Sequence, residues 1–253
     1  MKKLKLFLAA CAAMVGLSAN AQGWTGSEPA EGDFYLYNVG AGKFLNAGDR
    51  AANWGTNACL SANYGLDFTL EANGTNYNLN SKNSNGGASN YLATSLWTDG
   101  AATPWTFTSV GEKVYNISNG ENYLAANAAG DDVELTTSND GNNARWILVS
   151  RASVIDAMSS ATKDSPMNIS FLLGAPDFNR NDTRAQNGKS WIWTNADGNV
   201  TVAGPNAERG TFGCEFWNNT FDINQTLTEM PDGTYEFKIA GYGTNGTTSV
   251  VLA

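Results

Sequence analysis

The sequence contains no histidine, which excludes catalytic triads with a histidine base and metal sites with imidazole ligands. Basic residues are scarce too, since 15 Lys and Arg stand against 24 Asp and Glu. Three of the lysines lie in the first five residues, and no basic cluster follows them. So acidic a surface repels phosphate backbones, and nucleic acid is therefore not an expected partner.

Cysteines and long apolar runs are also few. Outside the N-terminal segment there are Cys59 and Cys214, which either form a disulfide or, as we favour, remain two buried thiols. Neither has a histidine to activate it, and no GxSxG motif offers a serine nucleophile. No segment reaches the ~20 apolar residues that a transmembrane helix needs.

The N-terminus has the pattern of a secretory signal peptide. The basic MKKLK precedes the apolar run LFLAACAAMVGL, and Ala19-Asn20-Ala21 forms a small-x-small cleavage site. Residues 1–21 are therefore expected to be removed, which leaves a protein that is secreted, on the cell surface or in the periplasm. The alternative is a lipoprotein, since LAAC resembles a lipobox that ends at Cys11.

The rest of the chain is rich in Gly, Asn, Thr and aromatic residues, which favours strands joined by tight turns and an all-β fold. One aromatic pattern occurs three times, and its copies start 43 and 38 residues apart. The landmarks are Phe34-x-Leu36, Phe44-Leu45 and Phe68-x-Leu70; Tyr77-x-Leu79, Tyr91-Leu92 and Trp105-x-Phe107; and Tyr115-x-Ile117, Tyr123-Leu124 and Trp146-x-Leu148. One further candidate strand per unit (ACLSA, SLWT and DVELTT) makes four strands in each.

A repeat of about 40 residues cannot bury its apolar face alone. Three copies can close into a threefold barrel with a triangular cap, which removes the open strand edges. Side chains two apart share a face of a strand, so Phe34, Leu36 and one of Phe44 and Leu45 are expected in the core. Trp105 and Trp146 are expected there as well.

These three units, with YNVGAGKFLNAG and NWGT in the first, resemble the β-trefoil domains of secreted Bacteroidetes proteins. Such domains are distant relatives of ricin-type lectins and fascin-like trefoils. The resemblance covers residues 32–150 and implies a β-trefoil of three four-stranded units. Ricin-type lectins close each unit with Gln-x-Trp, whereas this chain has DFTL, PWTF and RWIL. The sugar-pocket residues of that family are therefore not transferred to this chain.

The trefoil is flanked by an N-terminal extension (22–31) and a helical connector (151–166), whose helix is expected over Ala152–Thr162 and ends before Pro166. Residues 167–253 return to strand signals. Their order, from MNISFLLGAPDF to PDGTYEFKIAGY, resembles galactose-binding-like β-sandwich domains with a jelly-roll fold, in which PDGTYEFKI is a central strand. We expect this sandwich to be incomplete and the chain to be a fragment of a longer protein; the alternative is an unusually small sandwich.

No catalytic constellation stands out. Carboxylates such as Asp131, Asp132 and Glu215 form no recognisable pair of the kind that glycoside hydrolysis uses. The segments DFNRND and AGDDVE offer oxygen ligands but do not fit a complete calcium loop. We therefore predict no enzyme, no catalytic residue, no metal and no cofactor.

Aromatic residues beside Asn and Asp are the strongest indication of function, because indole rings stack on the CH faces of sugars while amides and carboxylates bind their hydroxyls. The candidate ligand-binding residues are Asp49, Trp54, Asn57, Trp97, Asp99, Asn127, Trp191 and Trp193. The sequence thus predicts a non-catalytic carbohydrate-binding protein with glycans or polysaccharides as partners. Two alternatives stay open: a scaffold that binds other surface proteins, and an accessory N-terminal region of a larger secreted glycan-degrading enzyme.

Overall fold

The structure is a computed structural model that describes residues 24–47, 56–62, 65–82, 90–173, 192–195, 201–206, 211–215 and 221–238. Its first part is built from strands β1 (Gly32–Asn38), β2 (Lys43–Ala47), β3 (Ala58–Ser61), β4 (Asp67–Asn73), β5 (Asn76–Asn80), β6 (Pro104–Gly111), β7 (Val114–Asn119), β8 (Asn122–Ala126), β9 (Val133–Thr136) and β10 (Trp146–Ser150). Helix α1 (Arg151–Ser159) follows, and two short 3-10 helices lie at Asn142–Ala144 and Ser170–Leu172.

Six of these strands close into a barrel. Antiparallel pairing runs from β1 to β4, β5, β6, β7 and β10, and β10 pairs back with β1. The first and last strands of each repeat supply these six. Their registers place the same two landmarks opposite each other in every unit: Phe34 with Phe68, Tyr77 with Trp105, and Tyr115 with Trp146. The chain is therefore a β-trefoil with the predicted threefold relation.

Equivalent side chains from the three units fill the barrel. Three equivalent landmarks of each unit are fully buried, at 0% exposure: Leu36, Leu79 and Ile117; Leu45, Leu92 and Leu124; and Phe68, Trp105 and Trp146. Burial of this apolar set supplies the main driving force for folding. The prediction that Trp105 and Trp146 belong to the core is confirmed.

Hydrogen bonds at the last landmark repeat the threefold relation. The indole N–H of Trp105 donates to the carbonyl of Leu92 at 2.9 Å, and that of Trp146 donates to the carbonyl of Leu124 at 2.8 Å. Phe68 has no such donor, and the equivalent carbonyl of Leu45 accepts instead from the backbone N–H of Leu66 at 3.0 Å. In each unit, the carbonyl at this equivalent position therefore accepts a hydrogen bond.

The second strand pair of each unit forms a hairpin beyond the barrel, and the second unit departs from the predicted pattern. Strands β2 and β3 pair in the first unit, and β8 and β9 in the third. In the second unit, Tyr91 and Trp97 form isolated bridges. The prediction that SLWT is a strand was wrong, because Leu96 has a φ of 61°, which belongs to a turn and not to extended backbone.

A second apolar cluster covers the outside of the barrel. Phe44 and Leu45 are both buried, at 1% and 0% exposure, so the expectation that one of them is core was too narrow. Leu45 lies inside the barrel, whereas Phe44 lies in the outer cluster and stacks on Phe171 with ring centroids 4.4 Å apart. Helix α1 adds Val154 and Met158 to this cluster, so it packs on the outside of the barrel.

Helix α1 is shorter than predicted. It begins after Ser150, whose side-chain oxygen accepts a hydrogen bond from the N–H of Ser153 at 3.2 Å. This is an N-cap, which satisfies one of the unpaired donors of the first turn. The helix ends at Ser159, three residues before the expected end at Thr162.

The N-terminal extension lies against the barrel. Trp24 is 2% exposed and packs in the outer cluster. The hydroxyl of Tyr77 donates to the carbonyl of Pro29 at 3.0 Å, and the hydroxyl of Tyr115 donates to the Glu28 carboxylate. Since Tyr77 and Tyr115 belong to different units, residues 24–31 link two units of the trefoil.

The described C-terminal strands are β11 (Ile192–Asn195), β12 (Thr201–Asn206), β13 (Thr211–Glu215) and β14 (Phe221–Asn224). They pair as two two-stranded sheets, β11 with β14 and β12 with β13. The expected central strand at PDGTYEFKI is not formed over residues 231–238, where Tyr235 and Phe237 are exposed. No neighbouring strand pairs with this segment within the described residues. The β-sandwich stays a prediction.

No helix within the described ranges has the length and apolar character needed to cross a membrane.

Candidate functional site

The hairpins of the three units meet at one end of the barrel, which we call the cap. Asn57, next to β3, forms an antiparallel bridge with Trp97 of the second unit, and Cys59 forms one with Asp132 of the third. The N–H of Leu60 also donates to the carbonyl of Asp131 at 3.3 Å. The cap therefore brings side chains from all three units onto one surface.

Asn57 and Trp97 lie directly opposite each other. The N–H of Thr98 donates to the carbonyl of Thr56 at 2.7 Å, and the N–H of Ala58 donates to the carbonyl of Leu96 at 2.8 Å. These two bonds bracket the pair, which is the arrangement of a non-hydrogen-bonded pair in an antiparallel ladder, where Cβ atoms are ~4.5–5.5 Å apart and the side chains share a face. The side chains of Asn57 and Trp97 therefore start from neighbouring positions on the same face.

A tight turn places Trp97 at the cap. The N–H of Leu96 donates to the carbonyl of Ala93, and the N–H of Ala93 donates to the carbonyl of Trp97, both at 2.9 Å. Leu96 takes the left-handed conformation that this turn requires, at a cost of about 1–2 kcal/mol for a residue with a side chain. Packing of the Leu96 side chain against the barrel core offsets that cost.

The two arms of this turn approach each other so closely that position 100 requires a glycine. Tyr91 and Gly100 exchange backbone hydrogen bonds of 3.1 and 2.9 Å. A Cβ on Gly100 would lie 2.5 Å from the Cβ of Ala93, which is closer than two carbon atoms can approach without a shift of the backbone. Glycine at position 100 therefore lets the short hairpin of the second unit form.

Two polar side chains lie near Trp97 at the protein surface. Trp97 and Asp99 are partly exposed and Asn57 is exposed. Within the described part of the chain, neither the Asn57 amide nor the Asp99 carboxylate takes part in a side-chain hydrogen bond. An aromatic face with an amide and a carboxylate nearby can stack on an apolar surface of a small molecule and bind its hydroxyls.

Among the other candidates, Asn127 has a structural role. Its side-chain oxygen accepts from the N–H of Asp131 at 3.4 Å, and its carbonyl accepts from the N–H of Gly130 at 2.9 Å. Both contacts lie within one loop at the cap, so the oxygen of Asn127 helps to close its own turn and is less available than that of Asn57.

The side chains of four candidates lie outside the described part of the chain. Asp49, Trp54 and Trp191 lie outside the described residues. Trp193 lies in β11 opposite Ile223, and its side chain is not described. In the sequence, Asp49 and Trp54 fall between Ala47 and Ala58, which pair at the cap.

Two buried threonines beneath the site could not be identified from the sequence. Thr56 and Thr98 are both fully buried. The hydroxyl of Thr98 donates to the carbonyl of Thr56 at 2.8 Å, whereas the hydroxyl of Thr56 has no partner within the described residues. Thr98 follows the candidate Trp97 in SLWTDG, but its partner is far away in the sequence, so no local pattern could have identified the contact.

Acidic side chains elsewhere on the barrel are held in structural contacts. The Glu71 carboxylate accepts from Tyr91 at 2.9 Å and from Asn80 at 2.7 Å. The ammonium of Lys82 lies 2.9 Å from both Asp33 and Asp67. Burial would lower the pKa of Lys82, but the charges and hydrogen bonds of the two carboxylates outweigh it and raise that pKa. No group of three potential metal ligands occurs among the described residues.

No protein-family model matches the sequence, and no curated protein matches it. Among solved structures, a Culex quinquefasciatus salivary protein of the cysteine and tryptophan-rich family aligns with a TM-score of 0.38 and 19% identity, over 51% of this chain and 99% of the other. A ricin B-like lectin of Macrolepiota procera in complex with lactose aligns with a TM-score of 0.37 and 14% identity, over 49% and 98%. The designed threefold-symmetric protein ThreeFoil aligns with a TM-score of 0.33 and 16% identity, over 47% and 98%. At these scores the alignments decide nothing about function, and the fold rests on the strand pairing described above.

Proposed function

We propose that this protein is a non-catalytic carbohydrate-binding protein, exported from the cell, that holds a sugar at the cap by aromatic stacking and hydrogen bonds. The observation that supports this most strongly is the Asn57–Trp97 pair. It places the side chain of Asn57, whose amide has no hydrogen-bond partner among the described residues, on the same face as the partly exposed Trp97, on a backbone held by two hydrogen bonds.

Asp99 extends the proposed site. It lies in the turn between the bridged residues Trp97 and Gly100 and is partly exposed, so its carboxylate is a further candidate group beside the indole. A carboxylate accepts hydrogen bonds from adjacent sugar hydroxyls, while the Asn57 amide can both donate and accept. A site made of a few surface groups gives weak affinity, which further sites on the same protein would strengthen toward a polysaccharide.

A glycan array with the mature chain (residues 22–253) tests the proposal. We expect binding to a subset of the glycans, and we expect Trp97→Ala to weaken it at least tenfold, which corresponds to about 1.4 kcal/mol. Tyr235→Ala is the matched control, because Tyr235 is another exposed aromatic residue outside the cap hairpins. Absence of binding across plant, mucin and host glycans would refute the proposal, and loss of binding in Tyr235→Ala instead of Trp97→Ala would refute this site.

A further inference from the structure

We propose that Thr98 is a positioning residue that holds Trp97 and Asn57 side by side, so that the sugar site spans the first and second units of the trefoil. The inference rests on the proposed function, since it assigns Trp97 and Asn57 as the binding groups. Thr98 itself is fully buried and cannot contact a ligand.

Three hydrogen bonds fix Thr98 from two directions. Its N–H and its hydroxyl both donate to the carbonyl of Thr56, at 2.7 and 2.8 Å. On the other side, the hydroxyl of Ser81 donates to the carbonyl of Thr98 at 2.5 Å. The residue between Trp97 and Asp99 is therefore anchored to the first unit and to Ser81, which directly follows β5.

The anchor acts on the binding pair because of where its partners lie in the chain. Thr56 immediately precedes Asn57, and Thr98 immediately follows Trp97. A shift of Thr98 away from Thr56 would separate the two side chains that share the face. Asn57 and Trp97 belong to different units and are linked covalently only through the part of the barrel between them. The covalent chain alone would therefore not keep the two side chains together.

The hydroxyl matters more than the methyl group at this position, because the ladder of the second unit is short. Tyr91 and Trp97 form isolated bridges and not a regular strand, so the turn at 93–97 lacks the continuous strand pairing that β2–β3 and β8–β9 have. Removal of a buried hydrogen bond then changes a larger share of the contacts that hold the turn.

Thr56 provides a matched control. It is as buried as Thr98 and lies across the same contact, but its hydroxyl has no partner within the described residues. Valine has the shape of threonine without the hydroxyl. Thr98→Val therefore removes a hydroxyl that donates to Thr56, and Thr56→Val removes one from the same region that has no partner among the described residues.

The experiment compares Thr98→Val, Thr98→Ser and Thr56→Val with the wild type in the mature chain. Binding is titrated with lactose, diacetylchitobiose, cellobiose and mucin-coated beads, and hydrogen exchange is measured by mass spectrometry over residues 91–100. We expect Thr98→Val to weaken binding about threefold to tenfold and to speed exchange over 93–99. We expect Thr98→Ser, which keeps the donor, to stay within about twofold of the wild type, and Thr56→Val to behave as the wild type in both measurements.

Several results would overturn the inference. Unchanged binding in Thr98→Val, even with a lower melting temperature, would show a merely structural contact. Equal effects of Thr98→Val and Thr98→Ser, or of Thr98→Val and Thr56→Val, would show that the hydroxyl bond is not what matters.

The proposed function can fail separately, if the wild type binds none of the four probes. Hydrogen exchange then decides the inference about Thr98 alone. Faster exchange over 93–99 in Thr98→Val than in Thr56→Val would support the anchor, and equal exchange would overturn it.

Discussion

Replacement of Trp105 by phenylalanine removes one indole N–H from the buried core. Trp105 is fully buried, and its N–H donates to the carbonyl of Leu92 at 2.9 Å. An unsatisfied buried acceptor costs about 1–3 kcal/mol. A void of about 40 Å³ from the lost ring adds about 1 kcal/mol, at about 24 cal/mol per Å³. Trp105→Phe should therefore destabilise the protein by about 2–4 kcal/mol.

The threefold relation extends this prediction to the equivalent positions of the other two units. Trp146 makes the equivalent bond to Leu124, so Trp146→Phe should cost a similar amount. Phe68 occupies the third equivalent position, but there the carbonyl of Leu45 already accepts from a backbone N–H. Phe68→Trp should therefore destabilise the protein by about 1–3 kcal/mol through overpacking, although it makes the three units more alike.

Thermal unfolding followed by far-ultraviolet circular dichroism measures these changes without depending on tryptophan fluorescence. For a chain of this size, 1 kcal/mol shifts the melting temperature by about 2–4 °C, so Trp105→Phe and Trp146→Phe should each lower it by roughly 5–15 °C. A loss below about 2 °C in either variant, or a higher melting temperature in Phe68→Trp, would refute the reasoning.

Three further predictions concern other parts of the trefoil. Gly100→Ala should lower the melting temperature by several degrees in calorimetry, because its Cβ would lie 2.5 Å from that of Ala93; an unchanged value would contradict the close approach. Burial, followed by the Glu28 carboxylate, raises the pKa of Tyr115 above its ordinary value of 10.0. The stabilisation from the neutral phenol is therefore complete below about pH 10 and lost as the pH rises further, so the melting temperature should fall above pH 10, and less steeply in Tyr115→Phe. Trp24→Ala should destabilise the protein by about 3–5 kcal/mol in urea unfolding, since Trp24 is buried against the barrel; a change below 1 kcal/mol would show that residues 24–31 are not part of the fold.

The barrel could be predicted from the sequence because its signal is local and repeated. Phe34, Tyr77 and Tyr115 each begin a strand with an aromatic-x-aliphatic pair, and the same landmark closes each unit. Since three units agree, a chance match at one of them matters little. The registers that pair Phe34 with Phe68 and Tyr77 with Trp105 follow from that agreement.

The outer cluster could not be predicted in the same way. Phe44 and Tyr91 occupy equivalent positions, yet Phe44 is buried and Tyr91 is partly exposed. The difference arises because Trp24 and Phe171 cover Phe44 from outside the repeat. Burial that depends on segments far away in the sequence leaves no trace in the local pattern of polar and apolar residues.

In the candidate site, too, the residue types could be predicted from the sequence, whereas their arrangement could not. Trp97, Asn57 and Asp99 were selected for their residue types, but their proximity depends on the pairing of two units. The turn at Leu96 could not be predicted from its residue type, because glycine and asparagine are the residues that usually adopt the left-handed conformation. Export, the β-sandwich and the ligand-binding parts of Asp49, Trp54, Trp191 and Trp193 stay predictions.

One spectroscopic titration tests the proposed site most directly. The protein has eight tryptophans, and each contributes one indole N–H signal to a ¹H–¹⁵N spectrum; the signal of Trp97 is assigned by its absence in Trp97→Phe. When an oligosaccharide selected on the array is added, the Trp97 signal should move in a saturable manner, while those of the core residues Trp105 and Trp146 stay in place. If the Trp97 signal does not move while the sugar binds, the cap is not the binding surface.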